Sequence, residues 1–167
     1  MLKYIGSEVV FREIPNEISL AINITNCPIH CPDCHSKKLW EDIGDELTWD
    51  ELDGLIRENP GITCVLFMGG DADLEEVARL ALIIKKSYSL KVALYSGNQL
   101  SKLKKKLHRK LALFDYIKTG PFIKERGPLN VKTTNQRLYE TNWPFWNWNV
   151  LRNITNKFWN EHKTTVT

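Results

Sequence analysis

The stretch Glu17–His35 reads EISLAINITNCPIHCPDCH. Its first half sets Ile18, Leu20, Ile22 and Ile24 at every second position. That is the period of a β-strand with a strong apolar inner face. The strand pattern stops at Asn26, and the chain runs directly into Cys27, Cys31 and Cys34. Whatever these cysteines hold therefore sits at the end of a strand.

Downstream the pattern alternates. Thr48, with Glu51 three residues on, predicts a helix N-cap. Leu52, Leu55 and Ile56 form that helix's apolar stripe, and Asn59-Pro60-Gly61 ends it. The continuous apolar run Ile62–Met68 predicts a strand buried on both faces, and Gly69-Gly70-Asp71 follows it. Asp73 with Glu76 predicts the cap of a second helix, with Leu74, Val77, Ala78, Ala81 and Leu82 on one face. Leu90–Tyr95 reads as a third strand closed by Ser96-Gly97, and Leu100–Lys110 as a strongly basic helix. Leu113–Lys118 reads as a fourth strand closed by Thr119-Gly120-Pro121. Beyond Lys124, Gly127-Pro128 and Lys132–Arg137 (KTTNQR) read as loop. Asn142–Asn149 (NWPFWNWN) holds three Trp and one Phe, either as a flap folded over the core or as a docking surface.

Strands alternating with helices predict an α/β protein of right-handed βαβ units with a mainly parallel sheet. An eight-fold barrel takes roughly 250 residues, and the 167 residues here leave room for about five to six units. A closed barrel is excluded; a partial (β/α) barrel or a doubly wound sheet remains. Both gather ligands at the C-terminal strand ends, so the cysteines, the diglycine and the later Gly turns are expected on one face. No linker divides residues 1–167, and one domain with an aromatic-rich C-terminal segment, 141–167, is expected.

Hydrophobic residues make up 43% of the chain, enough for a real core, which excludes wholesale disorder. No apolar run approaches the ~20 residues of a membrane-spanning helix. Lys3, Glu8 and Arg12 interrupt the N-terminal stretch, so no signal peptide and a cytoplasmic location are expected. A net charge of +3 is too mild to argue for nucleic acid. Lys102–Lys110 (KLKKKLHRK) carries six Lys and Arg residues, but no aromatic interleaves them to make a stacking platform. That run reads as a solvated face or as a dock for an acidic partner.

Of the four cysteines, three fall within eight residues and Cys64 lies inside an apolar run. This is not the spread of a secreted disulfide scaffold. It points to metal or redox chemistry, with Cys64 an inert buried thiol. A closed zinc site and an ordinary [4Fe–4S] site both want four protein ligands. Three thiolates leave one iron of a [4Fe–4S] cluster open to a substrate. The competing reading is a zinc knuckle completed by His30, His35 or Cys64, in a small module that contacts nucleic acid through the basic helix.

The spacing Cys27-x-x-x-Cys31-x-x-Cys34 straight after a first strand resembles the radical SAM superfamily. The resemblance implies a partial or full (β/α) barrel and a [4Fe–4S] cluster on Cys27, Cys31 and Cys34. S-adenosylmethionine would chelate the open iron and be cleaved by one electron to a 5′-deoxyadenosyl radical. Gly69-Gly70-Asp71 stands where that superfamily carries a GGE-like motif whose backbone binds the SAM amino group. The resemblance implies SAM contacts at Gly69 and Gly70, at the backbone of Asp33 and His35, and at Lys118, with Ser96 a weaker candidate. No acid or base residue is implied for the radical step. Within the superfamily the chain resembles the anaerobic ribonucleoside-triphosphate reductase activating proteins, a group of glycyl-radical activating enzymes. The matching stretches are NCPIHCPDCH (Asn26–His35), FMGGD (Phe67–Asp71), YSG (Tyr95–Gly97), DYIKTGPFI (Asp115–Ile123), TTNQRLYE (Thr133–Glu140) and NITNKFW (Asn153–Trp159). Asp33, Asp71 and Thr119 depart from the residues common there. The implied partners are the large reductase subunit, as the source of the target glycine, and a low-potential electron donor such as flavodoxin. Activators of other glycyl radical enzymes, of the pyruvate formate-lyase type, are longer and lack the TTNQR stretch.

Overall fold

The computed structural model describes residues 1–141 and 151–159. The expected aromatic stretch 142–149 lies outside them, as does most of the segment 141–167. The strands are β1 (Lys3–Val10), β2 (Ser19–Ile24), β3 (Asp45–Glu46), β4 (Cys64–Met68), β5 (Lys91–Tyr95), β6 (Tyr116–Thr119), β7 (Arg137–Thr141) and β8 (Leu151–Asn153). The helices are α1 (Trp49–Glu58), α2 (Leu74–Ser87) and α3 (Leu100–Leu107), with short 3₁₀ turns between elements. All eight strands form one open sheet in the order β3-β1-β2-β4-β5-β6-β7-β8.

The centre of that sheet is parallel. β2 pairs with β4, β4 with β5 and β5 with β6, each in parallel register. The flanks are antiparallel: β1 pairs with β2 and β3, and β7 pairs with β6 and β8. The sheet is thus mixed rather than mainly parallel, and the described residues make three βαβ crossovers rather than five or six units. The reason lies at both ends of the chain. Residues 3–10, 137–141 and 151–153 form antiparallel pairings, which need no crossover helix.

The strand order β2-β4-β5-β6 never reverses. With right-handed crossovers this puts every connecting helix on the same face. The packing agrees: one apolar cluster joins Leu20, Ile22, Val65 and Phe67 of the sheet to Leu52, Val77, Ile84 and Leu103 of the helices. The doubly wound reading fails here, since it needs a reversal and helices on both faces. The opposite face carries Ala21, Cys64, Leu66 and Ala93, covered by Ile14, Leu129 and Phe158 from irregular segments.

Both expected caps form. Thr48 Oγ1 accepts from the Glu51 N–H at 3.2 Å, and Asp73 Oδ1 from the Glu76 N–H at 3.1 Å. Two expected inner residues are not inside. Ile18 precedes β2 and is 38% exposed, while Leu82 is 39% exposed because α2 turns Leu80 and Ile84 inward instead. The basic helix also ends early: α3 stops at Leu107, and His108–Leu113 tightens into a 3₁₀ turn.

At the N-terminal edge of the parallel strands Glu17 is buried. It accepts from Thr63 Oγ1 at 2.6 Å, Lys91 Nζ at 2.5 Å and the Tyr116 hydroxyl at 2.9 Å. Burial pushes this carboxyl up, but the three hydrogen bonds together outweigh it and hold it below its ordinary value. The stabilisation is therefore complete above the unfolded value of about 4.3 and is lost as pH falls through the lower folded value. Glu17→Gln is expected to destabilise the fold by about 1–3 kcal/mol at pH 7. That difference from wild type should shrink below about pH 4, as read from urea midpoints across pH.

Candidate iron–sulfur centre

The cysteine loop leaves β2 through backbone that is tied on both sides. The Thr25 N–H donates to the Lys3 carbonyl, the Asn26 N–H to that of Glu41 and the Cys27 N–H to that of Leu39, each at 2.9 Å. Asn26 and His30 take positive φ, 57° and 49°, which turns the chain sharply back on itself. A turn closes between Cys31 and Cys34, whose N–H donates to the Cys31 carbonyl at 2.9 Å. His30 stacks on Trp40 with ring centroids 4.9 Å apart, which gives it a packing role.

Cys27, Cys31 and Cys34 are all half-buried with free thiols. All three line one cavity of about 180 Å³, together with Gly69, Asp71 and Lys118. A larger cavity of about 580 Å³ adjoins it, shares Cys34, Tyr95, Lys118 and Gln136, and extends toward Arg12 and Asn130. Topology explains the convergence. The parallel register aligns the C-terminal ends of β2, β4, β5 and β6, so the four turns that follow them meet.

The diglycine is required by geometry. Gly69 has φ of 106°, and a Cβ there would lie 3.1 Å from the Ile24 carbonyl oxygen. Gly70 has φ of 89°, and its Cβ would strike Val77 Cγ2 at 2.6 Å. Only glycine takes these angles without strain. Gly69 lines the small cavity, whereas Gly70 faces α2 and lines neither of the two.

Asp71 is 2% exposed. Its carboxylate accepts from the Ser96 hydroxyl, the Gly97 N–H at 2.8 Å and Asn98 Nδ2 at 2.8 Å. Ser96 is therefore engaged with Asp71. Gly97 in turn packs on the cysteine loop, since a Cβ there would lie 2.7 Å from Ile29 Cγ1.

Lys118 stands between the two cavities with its ammonium 4.7 Å from the centre of the Tyr95 ring. Burial pulls its pKa down to about 8, against the opposing pull of Cys31 and Cys34. It makes no ion pair among the described residues. Of the other expected SAM contacts, His35 is exposed, lines the larger cavity and tilts against Phe122 with centroids 5.1 Å apart. Asp33 is exposed and lines neither cavity.

The donor set suits an iron–sulfur cluster. The ligands available are soft thiolates. The Phe122 N–H donates to Cys31 Sγ at 3.3 Å. Burial raises the Cys27 thiol, while the N–H groups of Ile29 and His30 work against that rise. The indole N–H of Trp40, which also lines the small cavity, is buried without a partner among the described residues. Yet no three Cys, His, Asp or Glu side chains among the described residues converge where a single metal ion would sit. The three thiols border one cavity. Cys64 stays out of it. It pairs with Ser19 at the start of β2, five residues and about 16 Å from the strand's other end.

Residues 18–139 match the family described as 4Fe-4S single cluster domain. The chain belongs to that family. No curated protein and no solved structure matches it. A 4Fe–4S single cluster domain needs one cysteine-bearing site, and the strand-end loop supplies three thiols to one cavity. No helix among the described residues is long and apolar enough to cross a membrane.

Three contributors to this site escape a reading of sequence alone. Asn98, Gln136 and Trp40 carry no local signature; YSG and TTNQR flagged the neighbourhoods of the first two, but not what they touch. Thiol labelling of the metal-free native chain separates the cysteines. Cys27, Cys31 and Cys34 should react with a maleimide, while Cys64, whose thiol burial pushes up to about 12, should react only after unfolding. Peptide mass mapping reads the result.

Proposed function

We propose that this domain is a radical SAM enzyme that activates an anaerobic ribonucleotide reductase by generating a glycyl radical. The observation that carries the reading is the count of thiols at the cavity: three, on one strand-end loop, beside a glycine turn and a half-buried lysine. Cys27, Cys31 and Cys34 are the proposed cluster ligands, which leaves one iron for SAM. When bound, the cluster supplies the electron that cleaves the SAM sulfonium to a 5′-deoxyadenosyl radical.

The chain's own residues bind and orient. The Gly69 turn offers close backbone approach to the SAM amino group. The Lys118 ammonium suits the SAM carboxylate or ribose, and the site costs it hydration that an anionic partner would offset. The larger cavity, reaching from Cys34 to Asn130, suits the adenosyl group and an incoming glycine loop. The open sheet with helices on one face is read as a partial (β/α) barrel of three crossovers.

The proposed partners are the large reductase subunit and a low-potential donor such as flavodoxin. The basic run comes back against the first turn of α2, just beyond the C-terminal end of β4, where Lys110 pairs with Glu75. That basic run is the proposed dock for the acidic donor, and a cytoplasmic setting is proposed with it. The match to a 4Fe-4S single cluster family favours a cluster over a zinc knuckle at these thiols.

The test is anaerobic. After reconstitution with iron and sulfide and reduction by dithionite, the chain is expected to convert SAM to 5′-deoxyadenosine. Cys27→Ala, Cys31→Ala and Cys34→Ala should each abolish product, and Cys64→Ala should not. Robust cleavage by Cys31→Ala would falsify the ligand assignment. Lys118→Met should raise the KM for SAM on the order of tenfold, the scale of one charge-assisted hydrogen bond. An unchanged KM would remove Lys118 from the SAM site.

A further inference from the structure

The segment Lys132–Arg137 has no role in the reading above, yet two of its side chains reach the cluster loop through a single short turn. Asn135 Nδ2 donates to the Pro121 carbonyl at 2.8 Å. Gln136 is buried, and its Nε2 donates to the Gly120 carbonyl at 3.2 Å. From the other side the Gly120 N–H donates to the Asn98 carbonyl at 2.9 Å, and Asn98 is anchored to Asp71. Gly120 has φ of 99°, and a Cβ there would lie 3.3 Å from the Asn135 carbonyl oxygen, so backbone runs directly against backbone. The next amide along, that of Phe122, is the one that donates to Cys31 Sγ.

The Pro121 carbonyl and the Phe122 N–H belong to one peptide group. That group is planar and, with no cis bonds among the described residues, trans. Its oxygen and its hydrogen therefore point in opposite directions. A donor fixed on the oxygen fixes where the N–H aims, and by polarising the amide it strengthens the N–H as a donor. Asn135 grips one end of a rigid plate whose other end faces a sulfur. Gln136 steadies the preceding plate.

We propose that Asn135 and Gln136 are positioning residues that aim the Phe122 amide at Cys31 and so raise the reduction potential of the cluster. The inference rests on Cys31 being a cluster ligand. A hydrogen bond to a ligand sulfur stabilises the more negative, reduced state, and such bonds are among the factors that set cluster potentials. Releasing the plate weakens that bond and makes the cluster harder to reduce.

The experiment is a mediated redox titration of the reconstituted full-length chain, followed by the electron paramagnetic resonance signal of the reduced cluster. Asn135→Leu is neutral and near in size but lacks the donor. At a fixed potential its reduced-to-oxidised ratio should fall about tenfold, a shift of about 59 mV to more negative values for one electron. Gln136→Met should shift the same way and by less. Thr133→Val removes a hydrogen bond from the same segment to the Arg126 carbonyl and should leave the potential unchanged. A wild-type chain that takes up no iron and sulfide overturns the cluster reading itself. A wild-type chain with its cluster, beside an Asn135→Leu chain of equal iron content and equal potential, overturns the inference alone. One readout needs no variant. The Phe122 amide should be protected from deuterium exchange in the cluster-loaded wild type, and exchange at the rate of an open loop overturns the proposal.

Discussion

Asp71 is buried at the end of β4, and no cation among the described residues neutralises it. A carboxylate in that position must find donors or cost several kcal/mol. The fold supplies three, and all three come from the turn after the neighbouring strand: Ser96, Gly97 and Asn98. That demand couples the ends of β4 and β5. Because Gly97 packs on Ile29 and the Asn98 carbonyl receives the Gly120 N–H, it extends to the cysteine loop after β2 and the turn after β6. Four strand ends are held in one arrangement by the need to satisfy one buried anion.

The arrangement brings the three thiols of a 4Fe-4S family domain to one cavity. The thiols border a cavity that Lys118 also lines, an amide donates to one of them, and a glycine turn lets backbone come close. These features sit on the ends of three strands, β2, β4 and β6, so they come together only while the parallel register is kept. The helices on the far face serve that register. They fill the groove with Val77, Ile84 and Leu103 and prevent the strands from sliding.

Much of this was local in origin and so legible in the chain. The caps at Thr48 and Asp73 depend on two residues three positions apart, and both form. The cysteine spacing and the Gly69-Gly70 turn are likewise short-range. The misses are long-range. β1 was hidden because its pairing with β2 shifts register between Tyr4 and Ser7, which breaks the alternation a strand should show. β7 was hidden because only Leu138 along it is buried. Ile18 and Leu82 were misplaced because a stripe of apolar residues does not say where an element begins or which neighbour it meets.

The amino-acid sequence by itself determined the alternating strands and helices, the three clustered thiols and the turn that only glycine can make. These follow from side-chain period, spacing and backbone sterics within a few residues. The tertiary structure alone decided that four of the seven strand pairings among the described residues are antiparallel and that Asp71 is a hub. It also decided that Asn135, over a hundred residues after Cys31, steers the amide facing that sulfur. Hydrogen bonds between distant segments carry no periodicity along the chain, so they come into being only when the sheet brings those segments together.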